Sequence, residues 1–133
     1  MNFEFSAEQD ALREQLRKFL AKESPRGLSR QLLDGDAAGA QRRDAVWRGL
    51  AELGVTALML PEDCGGIGLG AMELCVVAEE IGRQLSPVPL ASTLYLAAQA
   101  LLLGASGEQQ QRWLSAVAAG EVGCLAAPLD GQI

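Results

Sequence analysis

The apolar positions of this chain fall in helical registers separated by short clusters of Gly, Pro, Ser and Asp. Ser6 followed by Gln9 predicts a capping box, with Glu8 and Asp10 in an acidic first turn. Leu12, Leu16, Phe19 and Leu20 then recur at i, i+4, i+7 and i+8, one stripe of a helix running to about Lys22. Pro25 and Gly27 end it. Residues 24–40 read as a polar connection that includes a short helix around Leu28–Leu33. Val46, Trp47, Leu50 and Leu53 share one face of a second long helix over about 41–53, with Gly54 as its stop. The apolar run 55–60 has no second strand-like run to pair with, so it reads as a buried connector.

A third helix is predicted over Ala71–Gln84, apolar at Met72, Cys75, Val76 and Ile81, with Glu79 and Arg83 spaced for an i,i+4 pair on its outer side. Ser86-Pro87-Val88-Pro89 breaks the chain. Residues 90–103 carry no charge, and a helix apolar on nearly every side is expected at the centre of a bundle. Gly104 stops it. Ser106 and Gln109 form a second capping box, opening a last helix that turns Leu114, Val117 and Trp113 inward and ends at Gly120. The expected fold is all-α: an up-and-down bundle of about five to six helices.

Composition agrees with one globular domain, since 49% of the 133 residues are apolar and 21% charged. The net charge of −6, without any Lys/Arg run, argues against a nucleic-acid partner. Cys64, Cys75 and Cys124 are odd in number and lack CxxC spacing, and the chain has no His, so neither a metal site nor a disulfide framework is expected. Cys75, in an apolar helical run, reads as a small core residue. Without His, any general acid or base would have to be Asp, Glu, Lys, Tyr or Cys. The N-terminus is acidic and lacks an apolar segment of the secretory kind. The longest uncharged run, 84–107, is interrupted by Pro87, Pro89 and Gly104, and its helical part is shorter than the ~20 apolar residues of a bilayer span. No membrane span is expected, and the cytoplasm is the default location.

Residues 59–70, MLPEDCGGIGLG, place a Pro and four glycines between two helical patterns. Pro61 fixes φ, while Gly65 and Gly66 permit positive φ or a close backbone approach. The stretch lies ahead of a helix N-terminus, where phosphates bind. It has no Lys or Ser/Thr partner beside Gly65-Gly66, however, and Glu62 and Asp63 repel anions. A rigid corner between two helices is the better reading.

Five segments in order carry a family resemblance: FSAEQDALREQLRKFL, Trp47 with LAELGV, LPEDCGGIGLG, AEEIGRQLSP and GEQQQRWLSAVAAGE. No single one is specific, but together they span nearly all of the chain. In that order the chain resembles the N-terminal helical domain of the acyl-CoA dehydrogenase family. The resemblance implies that residues 1–122 form this domain and that 123–133 begin the connection to a middle β-domain lying beyond the chain. It implies FAD as cofactor of the parent enzyme, an acyl-CoA substrate, α,β-desaturation as the reaction, and an electron-transfer partner. The family's catalytic glutamate belongs to its C-terminal domain, so no catalytic residue is carried over. Glu62, Glu79 and Glu80 are left as turn or paired helix-face residues, and the isolated chain is expected to be inactive.

In the family, the helix after the EExG helix helps wall the acyl pocket, which here falls on Leu90, Ala91, Leu94 and Tyr95. Core packing accounts for the same apolar pattern equally well. The segment entering the middle domain, where the family places backbone and a Thr hydroxyl near the flavin, falls on Ala126, Ala127 and Pro128. Pro128 stands near the Thr position and offers neither hydroxyl nor N–H. Two alternatives accompany this reading: a degenerate, non-catalytic subunit of a mixed oligomer, and a stand-alone helical interaction module. Either a homo-oligomer or a mixed oligomer is expected, because an uncovered apolar face drives association.

Overall fold

The first capping box forms as its spacing predicts: Ser6 Oγ accepts the Gln9 N–H at 3.2 Å, and Gln9 Oε1 accepts the Ser6 N–H at 3.0 Å. It opens α1, Ala7–Glu23, in a computed structural model that describes residues 4–127. Leu16 and Leu20 are buried, with Leu12 and Phe19 packed against the same core. After a short α2, Leu28–Leu33, comes α3, Ala37–Glu52, which starts earlier than the expected 41. Its Asp36 side chain caps the Ala38 N–H at 2.9 Å. Gly39 is not a breaker but a buried helical residue seated on Gln31 of α2.

The run 55–60 is the expected buried connector, folded as a 3-10 turn at Val55–Ala57 rather than a strand. A second 3-10 turn, Glu62–Cys64, leads through the glycine corner into α4, Ala71–Gln84, at the predicted bounds. The buried face of α4 differs from the predicted one. Leu74, Val76, Val77 and Ile81 are buried, whereas Met72 and Cys75 are exposed. The same face carries Glu80, completely buried against α1.

Counting a carboxylate as an outward residue places this face wrongly, because Glu80 is neutralised where it lies. Arg17 grips it through Nη2 to Oε1 at 2.6 Å and Nε to Oε2 at 3.1 Å. Arg83 Nε donates to Oε2 at 2.7 Å, and Arg13 Nε lies 3.9 Å from Oε1. The expected Glu79–Arg83 pair therefore does not form; Glu79 takes Arg13 instead, at 3.0 Å.

The uncharged stretch is a π-helix, Ala91–Ala97, continuing as α5, Ala98–Gly104. It is not the central helix of the bundle. Leu90, Leu94, Ala97 and Ala98 are buried, but Leu96 is 49% and Leu103 87% exposed. The second capping box, at Ser106 and Gln109, opens α6, Gly107–Ala118. Leu114 and Val117 point inward as predicted; Trp113 does not, lying half exposed with the Arg112 guanidinium 4.6 Å over its ring. Among the described residues there is no strand, and the architecture is the expected all-α bundle.

Candidate functional site

α5 and α6 are joined at one end by a single side chain. Gln110 Nε2 donates toward the Leu101, Leu102 and Ala105 carbonyls, each at 3.2 Å, at the C-terminal end of α5. Beyond α6 the chain turns back along both helices without regular structure. Three side chains from three other elements hold it there. Thr56 Oγ1 donates to the Ala118 carbonyl at 2.8 Å, and Trp47 Nε1 to the Gly120 carbonyl at 2.8 Å. Thr93 Oγ1 accepts the Gly123 N–H at 3.2 Å and lies 3.3 Å from its carbonyl oxygen.

The result is an open groove of about 880 Å³ between α5, α6 and residues 121–125. Ala97, Leu101, Trp113, Val117, Val122 and Leu125 supply its apolar walls, and Glu121 is the one charged residue lining it. Such a surface shelters hydrocarbon or an apolar neighbour and does no acid–base work by itself.

The residues expected to wall an acyl chain divide between two faces. Leu90 and Leu94 lie in the core, while Ala91 and Tyr95 are exposed. The Tyr95 hydroxyl donates to the Leu74 carbonyl at 3.1 Å, and partial burial, with the neighbouring Cys75 thiol second, pushes its pKa up. These four lie N-terminal to the groove on the same helical stretch, and none of them lines it. Ala126 and Ala127 are exposed; Pro128 lies outside the described residues. Sequence reasoning missed Thr56, Thr93 and Gln110, because a lone polar residue in an apolar run says nothing about which distant backbone atom it meets. The apolar run 122–127 was the one available signal for the groove.

The glycine corner offers no phosphate cradle. Gly65 N–H goes to Glu62 O at 3.0 Å, Gly66 N–H to Pro61 O at 2.9 Å, and Ile67 N–H to Ala57 O at 2.9 Å. Gly68 and Leu69 donate to the Leu60 and Leu58 carbonyls. Gln111 Nε2 of α6 binds the Asp63 carbonyl at 2.8 Å. With its donors consumed internally, the stretch is a corner that locks α6 and α4 to the core. The corner thus does not fit the holding of a pyrophosphate: its backbone donors from Gly65 to Gly70 are all taken within the chain.

No catalytic base emerges from the carboxylates singled out. Glu62 and Glu79 are exposed, and Glu80 is locked by arginines. Arg17, followed by Arg83, holds the Glu80 carboxyl below its usual range against the opposing effect of burial. Among the described residues no group of three or more His, Cys, Asp or Glu could hold a metal. Among the described residues no helix is long and apolar enough to cross a membrane.

A family model described as "Acyl-CoA dehydrogenase, N-terminal domain" matches residues 6–121. The chain belongs to the acyl-CoA dehydrogenase family. It is 45% identical over 80 residues to acyl-CoA dehydrogenase FadE28 of Mycobacterium tuberculosis, an alignment covering 60% of this chain and 24% of that protein. The fold matches an acyl-CoA dehydrogenase from Bacillus anthracis complexed with FAD, with a TM-score of 0.75 at 23% identity, over 88% of this chain and 20% of that one. It also matches the ChsE4–ChsE5 complex of Mycobacterium tuberculosis, with a TM-score of 0.71 at 25% identity, over 90% of this chain and 32% of that one. The chain spans about a quarter of the length of such curated relatives.

Proposed function

We propose that this chain is the N-terminal helical part of an FAD-dependent acyl-CoA dehydrogenase, an enzyme that introduces a double bond between Cα and Cβ of an acyl-CoA thioester. The observation carrying this reading is the family match across 6–121 on a bundle that leaves a largely apolar groove open beside its last helix. In this reading residues 1–122 are the helical domain and 123–133 the connection onward. The chain supplies apolar wall and packing. Catalytic base and most cofactor contacts come from elsewhere in the enzyme, in keeping with the exposure of Glu62 and Glu79 and the arginine clasp on Glu80.

Ala91 and Tyr95, the exposed pair of the four wall candidates, would face an acyl chain, with Leu90 and Leu94 supporting them from the core. Ala126, Ala127 and Pro128 would carry backbone toward the flavin, which when bound accepts the β-hydride. Electrons then leave through an electron-transfer partner, and the enzyme works in the cytoplasm.

The bound state is an oligomer. A mixed one, with this chain in a non-catalytic subunit, is favoured by the likeness to the ChsE4–ChsE5 complex and by the missing Thr hydroxyl at Pro128. The test is mass-spectrometric analysis of acyl-CoA thioesters incubated with the whole enzyme that carries this domain, co-purifying subunits retained, and an artificial electron acceptor. Loss of two hydrogens from at least one thioester, giving its 2-enoyl form, is the expected result. An unchanged panel with FAD supplied would overturn the proposal.

A further inference from the structure

A fully buried hydroxyl requires partners, and Thr93, at 0% exposure, finds both of its own on one distant residue. Its Oγ1 accepts from the Gly123 N–H and donates back to the Gly123 carbonyl. Thr56 and Trp47 each hold a single carbonyl, at 118 and 120. Thr93 alone of these grips donor and acceptor of the same residue.

Packing enforces the same register. A Cβ built on Gly123 would lie 2.8 Å from Ala97 Cβ, one helical turn beyond Thr93, closer than side chains approach. A slip by one residue would drive Val122 or Cys124 into that space. Thr93 and Ala97 both lie in the π-helical stretch, a winding that is rare and concentrates at functional sites.

We infer that Thr93 is a positioning residue: with Ala97 it sets the register of residues 121–125, and so places one wall of the groove and the chain that leaves it. The consequence for catalysis rests on the acyl-CoA dehydrogenase reading; the latch itself does not.

Peptide-resolved hydrogen exchange on the full chain tests the latch. Thr93→Val should accelerate exchange at Gly123 by about tenfold or more, as expected for a lost hydrogen bond, while Thr93→Ser restores the protected state. Gly123→Ala attacks the latch from its other side and should give the same acceleration across 121–125, which keeps the test decisive if Thr93→Val fails to fold. Ser24→Ala, which breaks the buried 2.8 Å Ser24–Ser86 bond elsewhere, should lower thermal stability without this local effect. In the active enzyme Thr93→Val should raise KM for acyl-CoA by a larger factor than it lowers kcat. Unchanged exchange in both latch variants, or equal acceleration in Ser24→Ala, would overturn the inference. Absence of turnover on any thioester by the whole wild-type enzyme that carries this domain would instead sink the enzymatic reading, and the exchange data would still decide the latch.

Discussion

Glu80 is the residue on which the α1–α4 interface turns. A buried carboxylate survives only if neutralised, and three arginines, two of them on α1, do this. Glu80→Gln removes the charge and leaves guanidinium groups facing one another. The expected loss is toward the lower end of about 3–5 kcal/mol, because the arginines reach solvent and can turn outward; denaturant unfolding measures it. The pH dependence follows from the depressed carboxyl. The folded chain binds this proton less readily than the unfolded chain, so the stabilisation is full above the ordinary value of 4.5 and is lost as pH falls through the lowered one. Midpoints collected from neutral to acidic pH should fall less steeply in Glu80→Gln than in wild type. Gly66 is the second decisive residue: its Cβ would land on the Leu60 carbonyl. Gly66→Ala should cost at least the roughly 1–3 kcal/mol of an overpacked core, and a melting temperature equal to wild type would refute the corner reading.

Elements were legible in the sequence wherever a cap and a stripe agreed. Both Ser–Gln boxes form, and α4 has the bounds its pattern predicts. Ser106→Ala and Ser6→Ala should each lower stability by about 1 kcal/mol, measured as a shift in denaturant midpoint at constant m. Ser106 is the more informative of the two, because α6 anchors both the corner through Gln111 and the groove through Gln110. Faces were less legible than spans. Met72 and Cys75 read as inward because they are apolar, yet they are exposed, while Glu80 is buried and paired with arginines of α1 and α4. The stretch 90–103 read as buried all round because it lacks charge. Absence of charge marks a surface that something apolar covers, and it does not say whether the cover lies within the chain. Asp36, whose side chain caps the Ala38 N–H, marks the true start of α3 inside the stretch 24–40 that reads as a polar connection.

At the scale of the whole molecule, apolar surface gathers where α5, α6 and the outgoing chain meet. Trp113, Val122 and Leu125 are exposed large apolar residues that line one groove. A surface of this kind associates in water, and the chain should sediment as a dimer or larger assembly, alone or with another subunit. A clean monomer at high concentration would contradict this. The candidate site was the least legible feature, since it depends on residues 118–123 being drawn back onto side chains 30 to 73 positions away in sequence. The central claim is that these helices wall an acyl-CoA dehydrogenase. It is tested most directly by anaerobic titration of the whole enzyme that carries this domain, with its subunits and FAD in place, with acyl-CoA thioesters while the visible flavin spectrum is recorded. The account predicts bleaching of the oxidised flavin band by at least one thioester. A protein that takes up no FAD, or whose flavin stays oxidised with every thioester, would contradict it.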